Sequence, residues 1–277
     1  MIAEWLLTFR PVKQMIVVMQ HNLQIIPIPA FKDNYIWLIH NGQQALVVDP
    51  GDATPVLQAL QQLNLRLNTI LITHHHHDHI DGVSDLVAAY PHVKIYAPRL
   101  EHYAFAHRSV HELTNISVDD LKLNFTVMSL PGHTLGHVAY YAEQASGKHL
   151  LFCGDTLFGA GCGRLFEGTP AQMYQSLQKL AALPPTTQVY CTHEYTLHNI
   201  NFALDLEPNN PALTERYYHT QKLREAKHAS LPSNMALELA TNPFLRCHST
   251  EIQNAVGLKN ASDLDVFTHV RERRNRY

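Results

Sequence analysis

Only four cysteines occur in the 277 residues, Cys153, Cys162, Cys191 and Cys247, and no CxxC pair is among them. A chain of this length is not a disulfide-stapled miniprotein, so free buried thiols in a reducing compartment, the cytoplasm, are expected. Long hydrophobic runs are also missing. None approaches the roughly 18 residues that span a bilayer, so no membrane helix is expected. Nor does either sign of charge dominate: 24 acidic against 21 basic residues leave a formal net charge of -3. Such a balance provides no field to draw nucleic acid or an anionic membrane, and any charge-based recognition must be local. Charged residues make up 16% and hydrophobic ones 45%, proportions of a packed globular protein rather than a disordered one.

Histidine, by contrast, is abundant. There are 20, and only their spacing can separate ligands from bystanders. Residues 1–22 form an N-terminal extension of uncertain status. Its short apolar segments, Trp5-Leu6-Leu7 and residues 15–19, are divided by Arg10 and Lys13, and no small-residue cleavage site follows, so a secretory signal is not expected.

From residue 23 onward short apolar, β-branched runs end in polar loops, with a few helical stretches between them. Strands are predicted at 23–28, 35–40, 44–48, 69–72, 94–97, 124–129, 138–141, 149–152 and 188–190. Their short connections favour packed sheets over one doubly wound parallel sheet. One helix is predicted to open with Thr54 as its cap and Pro55 at its first position, carrying Val56, Leu57, Leu60 and Leu63 on one face. Another is predicted from Pro170, capped by Thr169, through Met173, Leu177 and Leu180 to Leu183, where Pro184-Pro185 stops it. After His193 strand-like runs disappear, and helices are predicted at 196–206, 212–227 and 264–274. The chain is therefore expected to divide into an α/β domain at 23–194 and a small helical domain at 195–277.

Thr73-His74-His75-His76-His77-Asp78-His79 follows the strand at 69–72 directly. In an extended segment alternate residues share a face, so His74 and His76 are expected to face one ion while Asp78 and His79 turn toward a second. Four adjacent histidines alone could equally be a surface tract. What distinguishes this one is the recurrence of single His and Asp residues just past strand ends: Pro131-Gly132-His133-Thr134, Cys153-Gly154-Asp155-Thr156 and Cys191-Thr192-His193-Glu194. Strand ends along one sheet edge are where α/β proteins gather functional residues. Together they make a set: His74, His76 and His133 for one ion, Asp78, His79 and His193 for another, and Asp155 between them. Imidazole and carboxylate suit zinc, with iron or manganese as alternatives. His75 and His77 face away and read as packing or supporting residues, as does His137. Asp49 either accepts a hydrogen bond from a ligating histidine, fixing its tautomer, or caps a turn.

The pattern His74-x-His76-x-Asp78-His79 with His133, Asp155 and His193 resembles the metallo-β-lactamase superfamily. Within it the chain is similar to the glyoxalase II, or hydroxyacylglutathione hydrolase, family. That similarity runs through residues 28–35, Val48-Asp49-Pro50-Gly51-Asp52, the loop 161–169, and His193-Glu194-Tyr195-Thr196. The resemblance implies an αββα sandwich with a small C-terminal α-helical domain. It implies two divalent ions per chain and hydrolysis of the thioester S-D-lactoylglutathione to D-lactate and glutathione, the second step of methylglyoxal detoxification, by a metal-bridged hydroxide that Asp78 orients. It also places contacts to the glutathione thioester on Arg164, Phe166, Tyr195, Arg271 and Arg274. Arginine's planar fork suits the two carboxylates of glutathione, although the basic stretch 270–277 also reads as an ordinary helix end. A monomer is expected.

Three other classes share part of this pattern. A hydrolase of a lactone or β-lactam would share the ligands without needing the glycine loop or the cationic tail. A single-iron persulfide oxygenase lacks the full second ligand set. A structural metal protein would leave no open coordination position.

Overall fold

Between Asn34 and His40 the side chains alternate between two apolar clusters. Tyr35, Trp37 and Ile39 enter one cluster, and Ile36 and Leu38 the other. A strand buried on both faces must be apolar along its middle, and this one is from Tyr35 to Ile39. In the computed structural model residues 23–144 and 147–277 are described, and the N-terminal extension at 1–22 lies outside them.

The first sheet is ordered β1 (Gln24–Ala30), β2 (Asn34–His40), β3 (Gln44–Val48), β4 (Arg66–Leu71), β5 (Lys94–Pro98) and β6 (Arg108–Val110), antiparallel at first and parallel from β3 onward. The second comprises β7 (Asn115–Val118), β8 (Leu123–Ser129), β9 (Val138–Ala142), β10 (Leu150–Gly154), β13 (Gln188–Cys191) and β14 (Ser233–Asn234), ordered 14-13-10-9-8-7. Between them in sequence, β11 (Leu157–Phe158) and β12 (Gly161–Cys162) make a small hairpin. Helices α1 (Ala53–Gln62), α2 (His77–Ile80) and α3 (Val83–Ala89) precede α4 (Pro170–Ala181), and the tail carries α5 (Thr196–Leu204), α6 (Pro211–Glu225), α7 (Met235–Thr241), α8 (Thr250–Ala255) and α9 (Asp263–Asn275).

Val56 and Leu60 of α1 and Val83 and Leu86 of α3 cover the outer face of the first sheet, while Met173, Leu177 and Leu180 of α4 pack with the second. This is the αββα sandwich. Tail residues Phe202, Met235, Phe244 and Phe267 join the same cluster as the inner face of the first sheet, so the tail is welded to the sandwich.

Several local expectations need correction. The cap of α1 is Asp52, whose Oδ1 accepts the Thr54 N–H at 2.8 Å, and the helix begins at Ala53. A carboxylate two residues earlier outcompetes the Thr54 hydroxyl for the free amides. The Thr169 capping box with Gln172 does form, but α4 ends at Ala181 rather than Leu183. The tail is not strand-free: β14 pairs antiparallel with β13.

Candidate metal centre

Every expected ligand lies at one edge, where strands of both sheets end. The sheets are stitched there by the Tyr35 N–H to the Thr192 carbonyl at 2.6 Å and the Val138 N–H to the Thr73 carbonyl at 2.9 Å. His74 and His76 follow β4 in non-helical backbone, and Asp78 and His79 sit on α2, a single helical turn. The expected alternation therefore serves His74 and His76 only, and a helix turns the other two. His133 follows β8, Asp155 follows β10 and His193 follows β13.

Three overlapping groups have ligand atoms within 4.8 Å of one another: His74, His76 and His133; His74, His79 and Asp155; Asp78, His79 and His193. Asp155 lies between the outer two, its Oδ2 3.4 Å from His133 Nε2 and 3.3 Å from His193 Nε2.

Hydrogen bonds on the far sides of the rings settle which nitrogen is free. His133 Nδ1 faces the Arg164 carbonyl at 2.8 Å, to which it can only donate. His79 Nδ1 donates to Asp49 Oδ2 and His193 Nδ1 to Asp33 Oδ1, each at 2.9 Å. The Thr73 hydroxyl gives its proton to Asp49 Oδ2 at 2.7 Å, so it accepts from His74 Nδ1 at 3.1 Å. All four Nε2 atoms thus face inward. His74 Nε2 and His133 Nε2 each lie 3.0 Å from His76 Nδ1, and a single proton on His76 can satisfy only one of those contacts. His79 Nε2 and Asp155 Oδ1 are buried with no hydrogen-bond partner. Orphaned buried polar atoms are rare, and here inward-facing ring nitrogens and a carboxylate fit divalent cations.

Burial and the neighbouring imidazoles push His74 well below its ordinary pKa. Burial, with His133 and His75 nearby, takes His76 down to about 4. These rings are neutral, as ligands must be. At His193 burial opposes the charge, but Asp155, Asp33 and Asp78 together outweigh it and raise the pKa to about 10. Cation binding on that side therefore releases a proton.

Asp49 takes the tautomer-holding role. Besides His79 and the Thr73 hydroxyl it accepts the Thr73 N–H at 2.7 Å, and its φ of 52° is a left-handed conformation that these bonds hold in place. His75 lies 3.2 Å from buried Glu101 and 3.5 Å from Glu167, while His77 is exposed and pairs with Asp81 at 3.0 Å. His137 accepts the Asp155 N–H at 3.1 Å and stacks on His74 at 4.9 Å, supporting rather than joining the ligands. The partners missed from sequence are Asp33, Thr73 and Asn34, whose amide donates to Asp78 Oδ2 at 2.8 Å. Two polar residues in the turn between the apolar strands β1 and β2 were the available signal.

Beside the centre a cavity of about 230 Å³ is lined by Phe158, Cys162, Arg164, Tyr195, Asn199, Arg271, Arg274 and Asn275. The lining holds three cations and no acid. Burial, and then Arg271, push the Arg274 pKa down, a repulsion that an anionic ligand relieves. Tyr195, which lines the cavity, stacks on His193 at 4.7 Å and 2°, so the cavity adjoins the ligands. Phe166 is exposed, its ring 5.3 Å from those of His76 and His133, with Arg164 above it at 5.6 Å. Arg271 departs from the expectation of a free carboxylate fork. It is buried, its Nη1 donates to the Cys162 carbonyl at 2.9 Å, and its guanidinium lies over Phe244 at 5.1 Å. The Cys162 and Gly163 carbonyls claim it.

A sandwich with these ligands at its edge defines the metallo-β-lactamase superfamily, and residues 31–193 match that family. Residues 194–277 match the family described as hydroxyacylglutathione hydrolase C-terminus. Hydroxyacylglutathione hydrolase of Methylobacillus flagellatus is 53% identical over 254 residues, covering 92% of this chain and 99% of that one. The protein of that name from Dechloromonas aromatica is 54% identical over 240 residues, covering 87% of each. The chain belongs to the hydroxyacylglutathione hydrolase family. Among solved structures, ETHE1 from Myxococcus xanthus shares the fold, with a TM-score of 0.63 at 23% identity, covering 92% of this chain and 91% of that one. A protein crystallised in a di-iron-bound form aligns with a TM-score of 0.57 at 25% identity, covering 79% of this chain and 100% of that one.

Proposed function

We propose that the chain hydrolyses S-D-lactoylglutathione to D-lactate and glutathione, with two zinc ions as the resident metals. His74, His76 and His133 would hold one and Asp78, His79 and His193 the other, with Asp155 between the two groups. The observation that carries this reading is the convergence of five imidazoles and two carboxylates with their ligand atoms within reach of one another and two buried atoms left orphaned.

Divalent cations bound there supply Lewis acidity, which lowers the pKa of a coordinated water from about 15.7 to about 7 and polarises a carbonyl. The chain's own groups do the rest. Asp78, its carboxylate partly open to solvent and tethered by Asn34, accepts a hydrogen bond from the attacking water and sets its direction. Arg164 and Arg274 bind the carboxylates of the glutathione portion, and Tyr195 contacts that portion as part of the cavity lining. The departing thiolate is a weak base compared with an amine or alkoxide, so no proton donor is required for it. The protein acts as a cytoplasmic monomer in this reading, which gel filtration and fractionation test.

Turnover of S-D-lactoylglutathione should exceed that of a simple lactone and a β-lactam, and should vanish on chelation and return with metal. A preference for the lactone or β-lactam, or activity that survives metal removal, refutes the proposal. The acid-free arginine cavity is what favours a thioester bearing carboxylates over these other ester-like bonds.

A further inference from the structure

We infer that the turn between β1 and β2 positions one cation site and not the other: Asp33 and Asn34 set the affinity of the Asp78, His79 and His193 site and leave the His74, His76 and His133 site untouched. The inference rests on the metal reading above.

Adjacent in sequence, the two side chains grip different ligands of one group. Asp33 Oδ1 takes the His193 Nδ1 proton at 2.9 Å, and Asn34 Nδ2 donates to Asp78 Oδ2 at 2.8 Å. Asp78 needs such a tether, because its side chain is 40% exposed and sits on a helix of one turn. Asn34 is buried, so its amide is fixed where the carboxylate must be. The turn is also bonded through its backbone to the strand end that carries His193: the Glu194 N–H donates to the Asp33 carbonyl at 2.8 Å, and Asn34 bridges His193. Turn and ligand therefore move as one body.

Among the described residues nothing comparable links the turn to the other group. His133 rests on the Arg164 carbonyl and His74 on the Thr73 hydroxyl. His79, common to two groups, is held by Asp49 rather than by the turn. Supporting residues of this kind change metal affinity by about 10- to 100-fold. Here that change should fall on one equivalent only, which a general role in stability would not produce.

The test is titration of the metal-free full chain with Zn²⁺ against a competing chelator, for the wild type, Asp33→Asn and Asn34→Ala. The wild type should bind two equivalents. In each variant one equivalent should keep its affinity while the other weakens by about 10- to 100-fold. Against a His133→Ala background, where only the second group is complete, Asp33→Asn should weaken the remaining equivalent by the same factor. Thermal melting of the metal-free variants should stay close to wild type, which separates positioning from unfolding. Equal weakening of both equivalents, or of neither, overturns the inference, as does an unchanged affinity on the His133→Ala background. A wild type that binds fewer than two equivalents sinks the parent metal reading instead, and that outcome is visible before any variant is made.

Discussion

Gly163 offers a clean way to disturb the centre without touching a ligand. A Cβ built there would lie 1.9 Å from the Asp155 carbonyl oxygen, and real Cβ atoms essentially never approach within 3.0 Å. The φ of Gly163 is not positive, so the damage from Gly163→Ala is purely steric. Either the loop or Asp155 must move, by roughly 1.1 Å on those two distances. The loop has little room to retreat, because Arg271 Nη1 holds the Cys162 carbonyl at 2.9 Å and the Gly163 N–H is bonded to the Thr156 carbonyl at 3.1 Å. Asp155 must therefore yield, and its Oδ2 leaves its positions near His133 and His193. A misplacement of about 1 Å near reacting groups can cost about 100-fold in rate, so kcat for thioester hydrolysis should fall by about that factor and metal content should fall with it. Gly257→Ala is the control: φ is 74° with nothing within 4 Å, so it should cost about 1–2 kcal/mol of stability and leave kcat unchanged. Wild-type turnover and metal content in Gly163→Ala would refute the reasoning.

Asp49→Asn keeps shape and left-handed tolerance but replaces an acceptor with a donor. It should leave His79 protonated on the wrong nitrogen and weaken metal binding by about 10- to 100-fold, read by chelator competition; unchanged affinity would count against the tautomer role. Arg274→Met should raise KM with kcat nearly kept, because a contact to the carboxylates is equally strong before and during reaction; a fall in kcat alone would place Arg274 elsewhere. Hydrogen bonds from Arg246 and Ser249 outweigh burial and lower the Glu207 pKa below its ordinary 4.5, so its contribution to stability is full above that value and lost as pH falls through the folded one. Arg246→Met should thus flatten the acid limb of a stability-versus-pH curve, and an unaltered limb would refute the linkage. Burial raises all four thiol pKa values, so a thiol reagent should leave the native protein unlabelled and titrate four groups once it is unfolded; rapid native labelling would contradict the burial.

Where a strand must be apolar to be buried on both faces, the sequence announces it, and β2 and β3 fall within a residue of the predicted bounds. Ser233–Asn234 is invisible for the converse reason: two polar residues become a strand only because β13 offers an edge. Single-turn α2 is hidden by its own ligands, since a histidine tract has no helical apolar face. The residues proposed as ligands are legible because each segment that carries them follows a strand end. Their supports are legible only in part: Asp49 stands out beside Pro50-Gly51, but Asp33 reaches His193 across 160 residues, and no local pattern encodes that distance.

The composition change near residue 195 is real, yet the centre is assembled across it. Asn242 Nδ2 donates to the Phe158 and Gly161 carbonyls at 3.2 and 2.9 Å, and Glu238 Oε2 accepts the Ala160 N–H at 2.9 Å. Glu238 is itself locked by Arg216 at 2.5 Å, a buried pair of the sort whose half-removal costs about 3–5 kcal/mol. With Arg271 on Cys162, tail side chains fix the whole β11–β12 hairpin. From that hairpin the chain runs straight to Arg164, whose carbonyl holds His133 in its ligating tautomer. The tail thus does more than line the arginine cavity. It holds a ligand of the first group at second hand, while the turn between β1 and β2 holds the other group, so the two halves of one centre are braced by opposite ends of the described chain.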